Sequence, residues 1–163
     1  MSAQYGVKAP PSPVHASYAA KVGDFVAEGC DSVVRLLIER AAQHRGNEPQ
    51  QAQAWRVQVQ ILLDAFAQLP SASEWSLLLE YSLRRLGRRP DTVLLAPGVV
   101  IVIEFKIGDQ GHAAQHQRQA EDYALCIRDF HGAVRGLPIV PVVCAQSAAA
   151  RPLLIPVVTD GVS

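Results

Sequence analysis

The sequence predicts a single α/β domain, and three observations indicate this fold class. Up to Pro70 the apolar residues recur at helical spacing, whereas beyond it they form short runs rich in β-branched residues. A helix-like segment separates the later runs, as an α/β domain with helices packed on a sheet requires. The chain has 163 residues, and 49% of them are hydrophobic. It is therefore long enough to bury one core.

The N-terminal part of the domain is predicted to be helical. Residues 1–14 contain three prolines and are expected to form a flexible arm, so the domain itself spans residues 15–163. Capping residues, glycines and apolar spacing divide the region 15–69 into three predicted helices. These are a helix from near Ser17 to Gly29, a helix from Asp31 or Ser32 to near Gly46, and, after a glutamine-rich connector at 48–53, a helix from Trp55 to Leu69. The α/β core is predicted over residues 70–158.

Residues 91–106 are predicted to form a two-stranded hairpin. Both halves are apolar and rich in β-branched residues, and the Pro-Gly pair at the centre is a turn signal. If this pair is the loop, counting outward places Asp91 directly opposite Glu104, with Cβ atoms about 5 Å apart. Lys106 then shares the face of Glu104, because side chains alternate along a strand, and Phe105 points to the other face.

The charged side chains of Asp91, Glu104 and Lys106 suit a divalent metal. Two carboxylates at that separation can both ligate one Mg²⁺ or Mn²⁺. The metal lowers the pKa of a bound water and stabilises charge on phosphoryl oxygens, while the ammonium of Lys106 can orient the nucleophile or neutralise the transition state. The pattern therefore indicates phosphodiester hydrolysis. A salt bridge at the open end of the hairpin is the alternative interpretation.

The segment from His112 to His131 is predicted to form a helix, since it follows a glycine-containing turn and has few helix-breaking residues. Gln119 and Tyr123 lie at i and i+4, hence on one face. That face is polar at its start, which includes His116, and apolar at its end. This change indicates that the start of the helix borders a wet site. A surface or core-edge position for Gln119 and Tyr123 is the alternative.

Two further strands are predicted at residues 138–144 and 153–158. Each contains a proline, Pro141 or Pro156, which lacks the N–H that a strand ladder uses. At least one of these strands is therefore expected to be an edge strand or to be bulged.

In their order along the chain, the candidate residues resemble the PD-(D/E)xK nuclease superfamily. The resemblance begins with the dipeptide Pro90-Asp91 and continues with the Glu-Phe-Lys sequence at 104–106. The Gln-Ala-Glu-Asp-Tyr sequence at 119–123 matches the Gln-x-x-x-Tyr motif of several branches. More narrowly, about residues 17–158 resemble the nuclease-like N-terminal region of Schlafen-related bacterial P-loop helicase-like proteins. The segments that carry this likeness are 55–69, 80–81, 88–91, 102–106, 122–125 and 129–131.

The resemblance implies a fold, a cofactor and a set of site residues. The fold is a restriction-endonuclease-like αβββαβ core with extra N-terminal helices. The cofactor is Mg²⁺ or Mn²⁺, held by Asp91 and Glu104. Lys106 would be the catalytic lysine, and Gln119 and Tyr123 would line the site or orient the substrate.

Two more acids are candidates through the same resemblance, because many superfamily members add a further carboxylate to the metal site. Glu80, in the strand-like stretch 75–83, is the first; an ion pair at the edge of the sheet is the alternative. Asp64 is the second, but it lies off the apolar stripe of the third helix and is interpreted as solvated.

The expected partner is nucleic acid, and DNA rather than RNA. The formal net charge is zero, so binding must rely on a local patch. The candidates are four arginines that precede Asp91 and whose planar charged groups suit phosphates; they are Arg84, Arg85, Arg88 and Arg89. Solvated loop charges are the alternative.

The sequence also gives expectations about neighbouring domains and cellular location. It contains no Gly-x-x-x-x-Gly-Lys-Ser/Thr motif, so an ATPase or helicase domain would lie beyond Ser163, unless the chain is a shortened stand-alone protein. Three widely spaced cysteines, with no signal peptide and no apolar membrane span, predict a cytoplasmic protein without a membrane partner. The competing functions are a catalytically silent module that binds nucleic acid or a partner ATPase, and a scaffold domain with a structural ion pair.

Overall fold

A computed structural model describes residues 15–43, 49–83, 87–108, 114–130, 134 and 136–146. Within these ranges the chain forms four α-helices and five strands. In order they are β1 (Ala16–Lys21), α1 (Val22–Glu28), α2 (Cys30–Ala42), α3 (Pro49–Ala67), β2 (Ser76–Tyr81), β3 (Thr92–Ala96), β4 (Val99–Lys106), α4 (Ala114–Phe130) and β5 (Ile139–Ala145). A short 3-10 helix, Pro70–Ala72, lies between α3 and β2.

The strands form one mixed sheet in the order β1-β2-β3-β4-β5. The first four strands are antiparallel to their neighbours, whereas β4 and β5 are parallel. Parallel neighbours need a crossover connection, and α4 supplies it. From α3 onward the elements follow the order α-β-β-β-α-β. The α/β class predicted from the sequence is confirmed.

Helices cover both faces of the sheet, and each face has its own apolar cluster. Residues of α1, α2 and α3 pack with Leu77, Leu79, Leu94 and Phe105. Residues of α4 pack on the other face; the cluster there includes Val93, Val100, Val102, Tyr123, Ala124, Ile127 and Ile139. Because β4 contributes to both clusters through alternating residues, its two faces are distinct environments.

The prediction of a helix from near Ser17 is wrong for its first part, since residues 16–21 form β1. The segment is rich in alanine, which favours helices, but its backbone pairs antiparallel with β2. Tyr18 is buried while Ala19 is exposed, which is the burial alternation of an edge strand. Pairing with a distant strand therefore outweighs local propensity, and the helical region begins at Val22 rather than at residue 15.

Two other helix boundaries differ from the prediction. The second helix begins at Cys30 directly after Gly29, and no side chain caps it, so the predicted caps at Asp31 or Ser32 are wrong. The third helix begins at Pro49, and most of the predicted connector at 48–53 is its first turn. Proline is favoured at the start of a helix because its missing N–H would have no partner there.

The later elements lie close to their predicted positions. The strand predicted at 138–144 is β5, an edge of the described sheet that contains Pro141, as expected. The arm at 1–14 and the strand at 153–158 lie outside the described residues. No helix in the described ranges combines the length and the apolar character needed to cross a membrane.

Candidate active site

The hairpin formed by β3 and β4 has the predicted register. Ala96 pairs with Val99 across the turn, and the ladder runs to Thr92 opposite Ile103. Extending this pairing by one more residue on each strand places Asp91 opposite Glu104. Asp91 precedes β3 by one residue, and its Oδ2 accepts a hydrogen bond of 2.8 Å from the backbone N–H of Phe105. The carboxylate is thereby fixed against the end of β4.

The end of β4 separates its polar and apolar side chains as predicted. Phe105 belongs to the cluster under α1 to α3. Val100 and Val102 belong to the cluster under α4, and Glu104 and Lys106 continue their alternation onto the same face. The carboxylate and the ammonium therefore face α4, with Nζ of Lys106 donating a hydrogen bond of 3.1 Å to Oε1 of Glu104.

Gln119 of α4 joins these groups into one network. Its Nε2 donates to Oε1 of Glu104 at 2.8 Å and to the hydroxyl of Tyr123 at 3.0 Å. Its Oε1 accepts a hydrogen bond of 3.1 Å from Nζ of Lys106. The face shared by Gln119 and Tyr123 thus meets the sheet where its charged residues lie. The predicted proximity of these residues is confirmed.

The carboxyl of Glu104 is only partly satisfied by this network. Glu104 is 4% exposed, and its Oε2 is buried without a hydrogen-bond partner. Burial raises the pKa of Glu104, while Lys106, the backbone N–H of Asp91 and His116 lower it. A buried carboxylate oxygen without a partner is costly, so this atom favours binding of a proton or a cation.

Asp91 is perturbed in the same direction. Burial, followed by the neighbouring charge of Glu104, raises its pKa from 3.8 to about 7, although the N–H of Phe105 and Lys106 act against the rise. Two carboxylates that share a buried site repel each other, which favours protonation of one of them. A divalent cation relieves the same repulsion.

The donor set fits a hard cation such as Mg²⁺ or Mn²⁺. Both donors are carboxylates, and one has an oxygen without a partner. Among the described residues there is no group of three or more His, Cys, Asp or Glu side chains arranged to hold a metal. Asp91 and Glu104 would thus be the only carboxylate ligands from the described chain. Mg²⁺ commonly binds through one or two carboxylates and keeps several waters.

Glu80 lies near this pair but already has partners. Its Oε1 accepts a hydrogen bond of 2.8 Å from the indole N–H of Trp55, and its Oε2 forms an ion pair of 2.8 Å with Arg89. Glu80 therefore forms the predicted kind of ion pair. It does so in β2, an interior strand, so the predicted position at the edge of the sheet is wrong.

The two described arginines of the predicted nucleic-acid patch, Arg88 and Arg89, pair with different elements beside the site. Arg88 pairs with Asp122 of α4 at 3.3 Å, and Arg89 pairs with Glu80. The side chains of Arg88 and Arg89 remain 50% and 40% exposed. Arg84 and Arg85 lie outside the described residues. Arg88 and Arg89 are therefore anchored beside the site, and their side chains remain accessible to solvent.

One contact near the site, that of Trp55, was not predicted from the sequence. Trp55 was expected only as part of an apolar stripe, yet its N–H serves the buried carboxylate of Glu80. This hydrogen bond could have been expected from the chemistry of tryptophan, because a buried indole N–H usually needs an acceptor. His112 lies outside the described residues. Asp64 is exposed and bonded to Gln60, as expected for a solvated residue.

An open groove of about 570 Å³ lies elsewhere on the domain. It is lined by residues of α2 and α3, including Cys30 and Arg56, together with Gln146, which directly follows β5. The groove contains none of the candidate site residues. The candidate site is therefore distinguished by its buried charges and not by the volume of a groove.

No protein-family model, curated protein or solved structure matches the chain. The structure defines an α/β domain with a buried site of two carboxylates, a lysine, a glutamine and a tyrosine. Function is accordingly inferred from the chemistry of this site.

Proposed function

We propose that the chain is a metal-dependent nuclease that hydrolyses phosphodiester bonds of DNA. Asp91 and Glu104 would hold Mg²⁺ or Mn²⁺. The observation that carries the proposal is the buried Oε2 of Glu104, which has no hydrogen-bond donor and lies beside a second carboxyl with a raised pKa. A structural salt bridge would instead have both oxygens satisfied, as those of Glu80 are.

A metal bound here supplies a water of lowered pKa and stabilises charge on the phosphoryl oxygens. Lys106 is held by Glu104 and Gln119, so its ammonium is fixed beside the carboxylates, where it can neutralise charge that develops on the phosphate. Gln119 sets the position of Lys106 and bonds Glu104 at the same time. The hydroxyl of Tyr123 accepts from the amide of Gln119 and so fixes its orientation.

Further observations support the proposed fold and the proposed substrate. The element order from α3 to β5 agrees with a restriction-endonuclease-like core. The resemblance of the site sequence to PD-(D/E)xK nucleases favours DNA and an association with an ATPase or helicase domain. Arg88 and Arg89 stay exposed next to the site and would contact backbone phosphates.

A cleavage assay tests the proposal. Purified protein is incubated with plasmid, single-stranded DNA and RNA in Mg²⁺, in Mn²⁺ and in chelator, alongside Glu104→Gln and Lys106→Met. Asp64→Asn, which changes an exposed acid of α3, is the matched control. We expect metal-dependent cleavage of DNA, a loss of about 100-fold or more in the two site variants, and no loss in the control.

Two results would contradict the proposal. A wild-type protein that cleaves none of the substrates with either metal would exclude a nuclease of this type. Equal cleavage by wild type and Glu104→Gln would show that the activity comes from elsewhere. Salt-dependent binding of nucleic acid without cleavage would support a binding module instead.

A further inference from the structure

Glu80 adopts a backbone conformation that residues with a Cβ atom avoid. Its φ is 53°, and it is the one non-glycine residue in the described ranges with a positive φ. Glycine is the usual occupant of such positions. The conformation occurs inside β2, next to its last residue, Tyr81. An outlier of this kind persists only where the surrounding contacts enforce it.

The backbone around Glu80 departs from a regular strand. Leu77 and Leu79 face the cluster under α1 to α3, and regular alternation would send Tyr81 to the same side. Tyr81 instead packs against the cluster under α4. The left-handed residue therefore reverses the alternation without adding a residue to the strand, because Tyr81 still pairs with Ala16 as a regular ladder requires.

The side chain of Glu80 explains why glycine does not occupy this position. Glu80 is 4% exposed, and each of its carboxylate oxygens has a partner 2.8 Å away, Trp55 of α3 on one side and Arg89 on the other. Glycine would relieve the backbone but would lose both contacts. The left-handed backbone thus places a fully bonded carboxylate between a helix and the segment that leads into β3.

Glu80 and Tyr81 also anchor the segment that carries Asp91, the first of the proposed metal ligands. The N–H of Glu80 donates to the carbonyl oxygen of Asp91 at 2.8 Å, and the N–H of Tyr81 donates to that of Pro90 at 3.1 Å. The side chain of Arg89 is bound by Glu80 itself. Residues 89–91 are therefore all fixed by two neighbouring residues of β2.

We infer that Glu80 is a positioning residue, which holds Asp91 opposite Glu104. Its contacts with Trp55 and Arg89 stabilise the left-handed backbone through which it does so. The effect of Glu80 on metal binding rests on the proposed function, whereas its effect on the placement of Asp91 does not. In this arrangement Glu80 is not a metal ligand, because its two oxygens serve other groups. Loss of its contacts should loosen Asp91 and leave β4 in place.

Amide hydrogen exchange at Phe105 tests the positioning directly, because the N–H of Phe105 donates to the carboxylate of Asp91. The reference is the N–H of Val100 in the same strand, which donates to the carbonyl oxygen of Pro138. We expect Glu80→Gln and Glu80→Gly to speed exchange at Phe105 about tenfold or more relative to Val100. Glu39→Gln, which breaks an exposed ion pair with Arg35, is the control and should leave the ratio unchanged. An unchanged ratio in both Glu80 variants would overturn the inference, whatever the protein cleaves.

Mn²⁺ affinity, measured by electron paramagnetic resonance, distinguishes positioning from ligation. Removal of a group that orients a ligand weakens metal binding about 10- to 100-fold. We expect this loss in Glu80→Gln and also in Arg89→Met, because either change breaks the anchor. If Glu80 were itself a ligand, Arg89→Met would tighten Mn²⁺ binding by removing a competing cation, and that result would overturn the inference. A wild-type protein that neither binds Mn²⁺ nor cleaves DNA would refute the proposed function, while the exchange ratio would still decide the positioning role.

Discussion

Replacement of Asp91 by asparagine should stabilise the protein at alkaline pH. The pKa of Asp91 is raised from 3.8 to about 7 in the folded chain, so the folded state binds the proton more tightly than the unfolded state does. The contribution of Asp91 to the stability of wild type is therefore most favourable below about pH 4, falls as pH rises from about 4 to about 7, and levels off above that window. A rise of this size corresponds to about 4 kcal/mol between the two protonation states.

The amide that replaces the carboxyl in Asp91→Asn carries no charge, so the variant avoids this loss. At pH 8 we expect its unfolding free energy to exceed that of wild type by up to about 4 kcal/mol, or roughly 10 °C in Tm for a chain of this size. At pH 4.5 the two proteins should differ little. Saturating Mg²⁺ should narrow the difference at pH 8, because the metal stabilises the ionised wild type.

Thermal and denaturant unfolding across pH 4.5–8.5 measure this difference, with Asp64→Asn as an exposed control. The asparagine side chain can still accept the hydrogen bond from Phe105, so the substitution mainly removes charge. A variant that is less stable than wild type at pH 8 would refute the reasoning. A difference that does not change with pH would refute it as well.

Three further predictions concern the same network. Gln119→Leu should reduce cleavage about 10- to 100-fold, because Lys106 loses one of its two acceptors; an unchanged rate would show that its position is fixed by other contacts. Tyr123→Phe should lower the unfolding free energy by about 1 kcal/mol in denaturant titrations, since the amide of Gln119 loses an acceptor, and no change at all would count against that bond. Mn²⁺ affinity should rise about tenfold per pH unit until the pH reaches about 7, the pKa of Asp91, and should level off above it; a flat profile would exclude Asp91 as a ligand.

Most of the candidate site could be predicted because its signals are local. Alternation within β4 separates Lys106 from Phe105, and a two-residue turn defines which residues of the hairpin face each other. Helical spacing likewise brings Gln119 and Tyr123 together. These relationships depend on neighbours in the sequence, so periodicity was sufficient.

The parts that could not be predicted depend on distant pairing. β1 is a strand because β2 lies beside it, although its alanine-rich sequence favours a helix. The contacts of Glu80 depend on its left-handed backbone and on Trp55, which comes from another element. A strand pattern cannot indicate a positive φ at a glutamate, so this backbone conformation and the identity of the two partners of Glu80 become apparent only in three dimensions.

The proposed nuclease activity requires that Asp91 and Glu104 bind one divalent metal. An anomalous difference map from crystals soaked in Mn²⁺ tests it most directly. We expect one strong peak within metal–oxygen bonding distance of both carboxylates, including Oε2 of Glu104, and its loss in Glu104→Gln crystals. Absence of a peak between these residues, or a peak held by Glu80 in their place, would contradict it.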